Sequence, residues 1–501
     1  MNFVSSVQNR YHKLAYIGFA LLMSVLFDVF FWNKELGLGF LVFVLIYLAG
    51  FIGLAMITNQ PYNKKALFLL APILVLSFDV VIYNNDLVTS LVVLAVIGLL
   101  VLFTFLFTLR NTLANPFDFR NIPLLRKIGL PFSKWVQILR DLLFFNQNGK
   151  NDCYKKIAFG VLVSVPLLLI FGALFSQADA VFAQWFRDVF SFHYAFPEEF
   201  GPRVVRTVIF TLYLASLLYV VFDNDYTLSA NTYSVKKFDP TIVATVLTLV
   251  NVLFLLFVFI QVRYLFGSSN FVLENGLTFA DYARAGFFQL TAVLVLSGGL
   301  LALLYRSYSA HGHDKLSTVL KILLIVQVEI IAISALRRMN LYQAEYGFTT
   351  LRLYVEWFIY FIMILFVALA FCIARQVAFR KLFFGALVYG VVAFTVVASI
   401  NVDRMIAEQN IARFYQGKKI DVPYLSTLRA DAIPLLVDLS NANPILQDPQ
   451  YGISHFGGDN KTSLSVALRD KKEFLERHDT WTEFNFAVSQ ALQKLNNLIV
   501  R

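Results

Sequence analysis

The sequence predicts an all-α, polytopic α-helical integral membrane protein: about 11 transmembrane helices followed by a small helical, extracytoplasmic C-terminal domain. Three observations carry this. Of 501 residues, 58% are hydrophobic, 16% aromatic and only 15% charged, with a mean hydropathy of +0.67; an ordinary soluble domain has about 45–50% apolar and about 25% charged residues. Apolar runs of spanning length recur through the first 400 residues. After Asn401 the composition turns abruptly to a mixed, charged surface.

A chain with 52 Phe and only 42 basic and 32 acidic residues cannot cover its own apolar surface in water. This excludes a secreted disulfide scaffold, a disordered chain and a cytosolic enzyme. A helix crosses the roughly 30 Å hydrocarbon layer with about 20 residues, and eleven runs meet that length: 14–32, 37–57, 66–83, 87–109, 157–176, 204–222, 241–262, 285–305, 316–336, 350–374 and 382–400. The first is read as a retained span, since it is too long for a signal-peptide core and lacks a cleavage site. The runs divide the chain into a four-span unit (1–109), a connection (110–156), a seven-span domain (157–400) and the C-terminal domain (401–501).

Cytoplasmic loops keep an excess of Lys and Arg. The loops that include the N-terminus hold 21 of them, the opposite loops 9 and the tail 12, so the N-terminus is expected inside and, with an odd span count, the C-terminus outside. Residues 110–156 set Leu124, Ile128, Trp135, Ile138, Leu142 and similar side chains among basic ones, the pattern of amphipathic helices lying on the inner leaflet. Residues 181–197 are aromatic but too short to cross and read as an outer interfacial segment. In the tail, 12 basic residues match 12 acidic ones, and helices are expected at about 402–416, 424–439, 463–477 and 481–498, the last capped by Thr480.

The charge of +10 forms no basic-aromatic surface, so no nucleic-acid partner is expected. Cys153 and Cys372 make no CxxC pair. The six His, including His193, His311 and His313, show no ligand spacing, so neither a metal nor any other cofactor is expected. No GxSxG, HExxH, P-loop or Ser-x-x-Lys site occurs in suitable context, and no catalytic residue is assigned. Pro72, Pro166 and Gly298–Gly299 interrupt spans, without the paired repeat that marks many carriers.

Charges inside spans cost about 2.5–3.5 kcal/mol each and need a partner or a task. Asp28, Asp79, Glu329 and Glu356 fall toward the outer ends or outer halves of their helices. Arg206, Arg284, Arg337, Arg338 and Arg352 lie on the same side. A guanidinium forks onto two oxygens, so an arginine rim above a layer of acids suits an anionic headgroup; mutual pairing that only holds the bundle together is the plainer alternative.

Three stretches, Thr278–Leu290 (TFADYARAGFFQL), Arg338–Tyr342 with Tyr346–Tyr354 (RMNLY and YGFTTLRLY), and Asn401–Arg413 (NVDRMIAEQNIAR) continuing through Asp421–Leu425 to Asp431–Pro434, together resemble the bacterial polytopic family named domain of unknown function 4173. The likeness covers about residues 200–500 and implies a bacterial multi-pass protein without an established activity. All three stretches begin or end on the expected external face, so Asp281, Tyr282, Arg284, Arg338, Tyr342, Tyr346, Arg352, Glu356, Asn401, Asp403, Asn410 and Arg413 are candidates for one ligand-binding site. Asp403, Asn410 and Arg413, at offsets of seven and ten, stand about two and three turns apart on one helix.

The leading expectation is an inner-membrane protein that binds or moves an anionic or amphiphilic, lipid-like ligand at the outer leaflet, under the cover of its tail. The rival is a structural or signalling protein assembling with protein partners through residues 401–501. An enzyme acting on a lipid-linked substrate comes third.

Overall fold

The computed structural model describes residues 3–58, 62–108, 138, 200–222, 240–266, 287–308, 315–443, 446, 463–476 and 480–497. The span expected at 157–176, the interfacial segment 181–197, the connection 110–156 apart from Ile138, Cys153, His193, His311, His313, Asp281, Tyr282 and Arg284 lie outside them. Every regular element among the described residues is helical. The α-helices are α1 (Phe3–Phe31), α2 (Leu38–Ile57), α3 (Leu70–Ile82), α4 (Asp86–Thr108), α5 (Phe200–Phe222), α6 (Pro240–Phe266), α7 (Phe287–Tyr308), α8 (Lys315–Tyr346), α9 (Thr350–Ala374), α10 (Phe379–Ala398), α11 (Val402–Tyr415), α12 (Val422–Thr427), α13 (Ile433–Ala442), α14 (Leu464–Leu475) and α15 (Phe486–Leu495).

Among the described residues, eight helices are long and apolar enough to cross a membrane: α1, α2, α3 with its preceding 3₁₀ turn, α4, α5, α8, α9 and α10. They mark a membrane protein. Helices α6 and α7 carry shorter apolar segments, Val243–Phe259 and Val293–Tyr305.

The chain forms two compact units: Met1–Ser77, Ala95–Ala230 and Thr480–Glu483 in the first; Phe78–Leu94, Asn231–Asp479 and Phe484–Arg501 in the second. Lipid is as apolar as leucine, so helices in a bilayer associate through close packing and hydrogen bonds rather than through the hydrophobic effect. In the first unit α1 packs along α5 and against α2. Phenylalanine supplies the contact: Phe222 stacks on Tyr16 at 4.9 Å and meets Phe51 at 5.5 Å, and Phe51 meets Phe103 and Phe107. Ser24 donates to Thr207 O at 2.7 Å, and Tyr47 and Thr104 share a buried hydrogen bond of 2.8 Å.

In the second unit α8 is the central helix, packed by α6, α7 and α9 around Leu247, Leu294, Leu324, Val328, Ile359 and their neighbours. Asn251 ties α6 to α8 by donating to Leu320 O at 3.1 Å. The tail helices have their own apolar core of Ile406, Leu425, Ile433, Leu436, Leu464, Leu468, Ala491 and others, and Leu353 of α9 belongs to it. This core therefore starts on a membrane span.

The expected tail helix 424–439 is broken. Leu428 and Arg429 are extended, because the Arg429 N–H leaves the helical ladder to reach Asp403 Oδ2 at 3.0 Å. The expected helix 481–498 also divides, into a 3₁₀ turn (Trp481–Glu483) and α15. Its cap is Asn485, which accepts from Val488 N–H at 3.2 Å, rather than Thr480, whose hydroxyl bonds Glu483 and Thr482 within the 3₁₀ turn.

Candidate functional site

The second unit gathers its polar residues where α3, α8 and α10 end and α4 and α9 begin. A helix end leaves backbone groups without helical partners, and the sequence meets them with short amide and carboxylate side chains. The α3–α4 turn, Tyr83-Asn84-Asn85, is the focus. Asn84 N–H donates to Asp431 Oδ2 at 2.7 Å, and Asn85 Nδ2 donates to Asp403 Oδ1 at 2.9 Å. Asn485 Nδ2 reaches Val80 O and Tyr83 O, both at 2.9 Å. Tyr83 OH donates to Ser399 O at 2.8 Å, while Ser399 Oγ donates to Asp79 Oδ2 at 2.7 Å. Asn401 caps α11 by accepting from Arg404 N–H and donates Nδ2 to Asp431 Oδ1 at 2.7 Å.

Asp403 and Asp431 are thus two buried carboxylates, each oxygen of which accepts an N–H. Burial raises the Asp403 carboxyl above its ordinary value, opposed by its bonds from Arg429 and Asn85 and by the charge of Lys471. Burial pushes Asp431 up to about 6, against its bonds from Asn84 and Asn401, and the neighbouring charge of Asp403 adds to the rise. Burial lowers Lys471 to about 8, with the Arg429 charge adding to the fall and Asp403 opposing it. The Lys471 ammonium donates to Leu428 O.

The second set of contacts closes the α8–α9 turn. Gly347 is left-handed (φ +82), and a Cβ there would meet Asn410 Oδ1 and Arg413 Nη1. Asn410 pairs with the Phe348 backbone in both directions, accepting at 3.0 Å and donating at 2.9 Å. Arg413 Nη2 donates to Ala344 O and Glu345 O at 2.9 Å, and Arg352 Nη1 to Gly347 O at 2.6 Å. Two guanidinium groups therefore cover the last carbonyls of α8, a placement that also suits the negative end of a helix. Arg352 lies 4.0 Å over the Tyr342 ring, which in turn meets Tyr346 at 5.2 Å. Gly347→Ala must adopt a left-handed backbone and displace Asn410, so a loss of about 1–3 kcal/mol is expected in thermal unfolding of the reconstituted protein.

Of the described candidates, Arg352, Tyr342, Tyr346, Asn410 and Arg413 meet around the α8–α9 turn, and Asn401 and Asp403 around the α3–α4 turn. Glu356 accepts from Gln343 Nε2 at 2.9 Å, and Arg338 is half-buried on α8. Asp79 bonds Ser399, whereas Glu329 Oε1 is buried without a hydrogen bond. Sequence reasoning missed Tyr83, Asn84, Asn85, Ser399, Arg429, Asp431, Lys471 and Asn485 as site residues. The available signal was Asn84-Asn85-Asp86 between two apolar runs, since Asn and Asp bond turn backbone.

In the first unit the acid expected to need a partner has two. Asp28 pairs with Arg206 and lies 3.7 Å from Arg203 Nε. The Arg206 guanidinium stacks 3.6 Å over Trp32. From the tail, Trp481 meets Phe30 edge-on at 5.5 Å, Thr482 lies where a Cβ on Gly39 would touch it at 3.0 Å, and Glu483 accepts from Glu35 N–H at 2.9 Å. Among the described residues no three His, Cys, Asp or Glu side chains group as metal ligands.

The chain matches the family described as Domain of unknown function (DUF4153) over residues 70–439. The chain belongs to this family. That corrects the resemblance to domain of unknown function 4173 drawn from the three stretches in the second half. Apolar spans closed by Asn, Asp, Arg and Tyr at helix ends answer a common physical need, so short stretches of that composition do not separate one polytopic family from another. Membership brings no activity with it. No curated protein and no solved structure matches the chain.

Proposed function

We propose that this protein is a structural or signalling component of a bacterial inner membrane that assembles with protein partners through its C-terminal helices on the extracytoplasmic side. One observation carries the reading: the joint of Asp403, Asp431 and Asn485 with the α3–α4 turn attaches the tail to span ends through buried and half-buried hydrogen bonds. A tail mounted so firmly suits a module whose load or partner is felt by the spans. Its surface keeps apolar side chains in reach of a partner, among them Val466 and Phe474 of α14. Photo-crosslinking residues placed at Val466 and Phe474 in intact cells are expected to give one discrete protein adduct. A tail surface that crosslinks to nothing would remove the reading. An impermeant thiol reagent that labels a cysteine at Glu476 only after cell lysis would reverse the assigned topology.

A second reading, recognition of an anionic or amphiphilic ligand at the outer leaflet, is favoured by the first unit, where two arginines share one carboxylate.

A further inference from the structure

The α8–α9 turn holds a guanidinium that the chain orients without using its forked edge. Arg352 stands in the first turn of α9, a helix long and apolar enough to cross a membrane, and so at the level where a span meets headgroups. Its Nη1 donates to Gly347 O at 2.6 Å and to Tyr346 O at 3.4 Å, and the group lies 4.0 Å over the Tyr342 ring. The chain thus fixes one nitrogen and one face. Among the described residues nothing bonds Nε or Nη2 of Arg352, and neither atom is buried. That edge is the one that meets two oxygens of an anion in parallel bonds.

The carboxylates nearby are engaged elsewhere. Glu356, one turn along α9, accepts from Gln343 Nε2 at 2.9 Å, and Glu345 holds the Lys418 ammonium at 3.2 Å. Arg413, bonded to Ala344 O and Glu345 O, stands close enough for the Arg352 charge to act on it. Two guanidinium groups therefore approach each other with only carbonyl oxygens as acceptors, a repulsion that a bound anion relieves. Leu351 and Phe358, two turns apart on one side of α9, are exposed and give an acyl chain an apolar surface beside this position.

We propose that the α8–α9 turn binds a phosphate group through the Nε–Nη2 edge of Arg352, with Arg413 adding its charge. The phosphate belongs to a lipid headgroup of the tail-side leaflet or to a free anion. This rests on the second reading above and supplies its site and ligand class.

The test is native mass spectrometry of the full chain, delipidated and titrated with phosphatidylglycerol, with diacylglycerol of the same acyl chains, and with inorganic phosphate. Arg352→Lys keeps the charge and a donor but removes the fork. It is expected to weaken phosphatidylglycerol binding about tenfold, the value of one charge-assisted hydrogen bond, and to leave diacylglycerol binding unchanged. Should diacylglycerol binding fall as well, Tyr342→Leu decides instead: it frees the guanidinium plane without touching the bond to Gly347, and a few-fold loss confined to phosphatidylglycerol is expected. Inorganic phosphate that binds alone or displaces the lipid identifies the free anion as the occupant, and phosphate that does neither identifies the lipid; both support the site. Selectivity for phosphatidylglycerol or phosphate that neither substitution alters would overturn the site while leaving the second reading standing. A wild-type chain that takes both lipids equally and no phosphate would end both.

Discussion

Asp403→Ala is expected to loosen the tail by about 2 kcal/mol, since it strands two half-buried donors near the low end of the roughly 1–3 kcal/mol that an unsatisfied group costs: the Arg429 N–H and Asn85 Nδ2. It also leaves Lys471 without the opposing charge that moderates its burial. Asp403→Asn keeps one acceptor and the side-chain volume, and should cost about 1 kcal/mol, the net value of one hydrogen bond. Hydrogen exchange of residues 402–443 in nanodiscs is the measurement, because protection of α11 through α13 reports local opening of the joint. Protection in Asp403→Ala equal to wild type would mean that water satisfies these donors and that the tail core alone holds the domain.

The second large effect is on pH. Burial raises Asp431 from its ordinary 3.8 to about 6, so the folded state binds the proton more tightly than the unfolded one. The stability this contributes is complete below about pH 4 and is lost as pH rises through about 6; a shift of roughly two units is worth up to about 3 kcal/mol. Asp403 shifts in the same direction. Lys471 is lowered from 10.5 to about 8, so its contribution returns as pH rises from about 8 toward 10.5. Tail stability should therefore pass through a minimum between about pH 6 and 8. The groups facing Asp431 are Asp403, Tyr83, Asn84 and Asn401; of these Tyr83 has its phenol raised further by burial and stays neutral across this window. Melting of the tail followed from pH 4.5 to 10 should show both limbs in wild type. Asp431→Asn should weaken the acid limb and Lys471→Met should remove the alkaline one; a profile unchanged by either would place the pH dependence elsewhere.

How much of this was legible beforehand differs by element. Eight of the eleven expected spans coincide with helices long and apolar enough to cross, and these were readable because lipid imposes one requirement on every crossing segment, about 20 apolar residues in a helix that satisfies its own backbone. That Asp28 needs a partner follows from the cost of a charge there, and Arg206 was already among the candidates; Arg203 was not singled out. The tail helices were readable from their 3.6-residue apolar pattern, but the breaks at Leu428 and before Phe486 were not. Pro434, in the first turn of α13, is the local signal for a break, since it has no N–H to give Ala430 O; the start of the break at Leu428 is set by a carboxylate 26 residues earlier that takes the Arg429 N–H. Likewise Trp481, Phe484 and Phe486 continue an apolar pattern yet remain exposed, because the chain turns through a 3₁₀ segment before α15 begins.

Arg352 and Arg413 show where the sequence reaches its limit. Residue type says that each guanidinium takes oxygen acceptors; it does not say whether those belong to a ligand or to the chain. The structure sets carbonyl oxygens of Ala344, Glu345 and Gly347 against them. By itself the sequence determined the solvent, the helical class and the presence of a polar layer at the span ends, because those depend on composition and period. Only the tertiary structure decided which Asn, Asp and Arg meet, because Asn84 and Asp431 stand 347 positions apart and only the packing of the helices between them brings donor to acceptor.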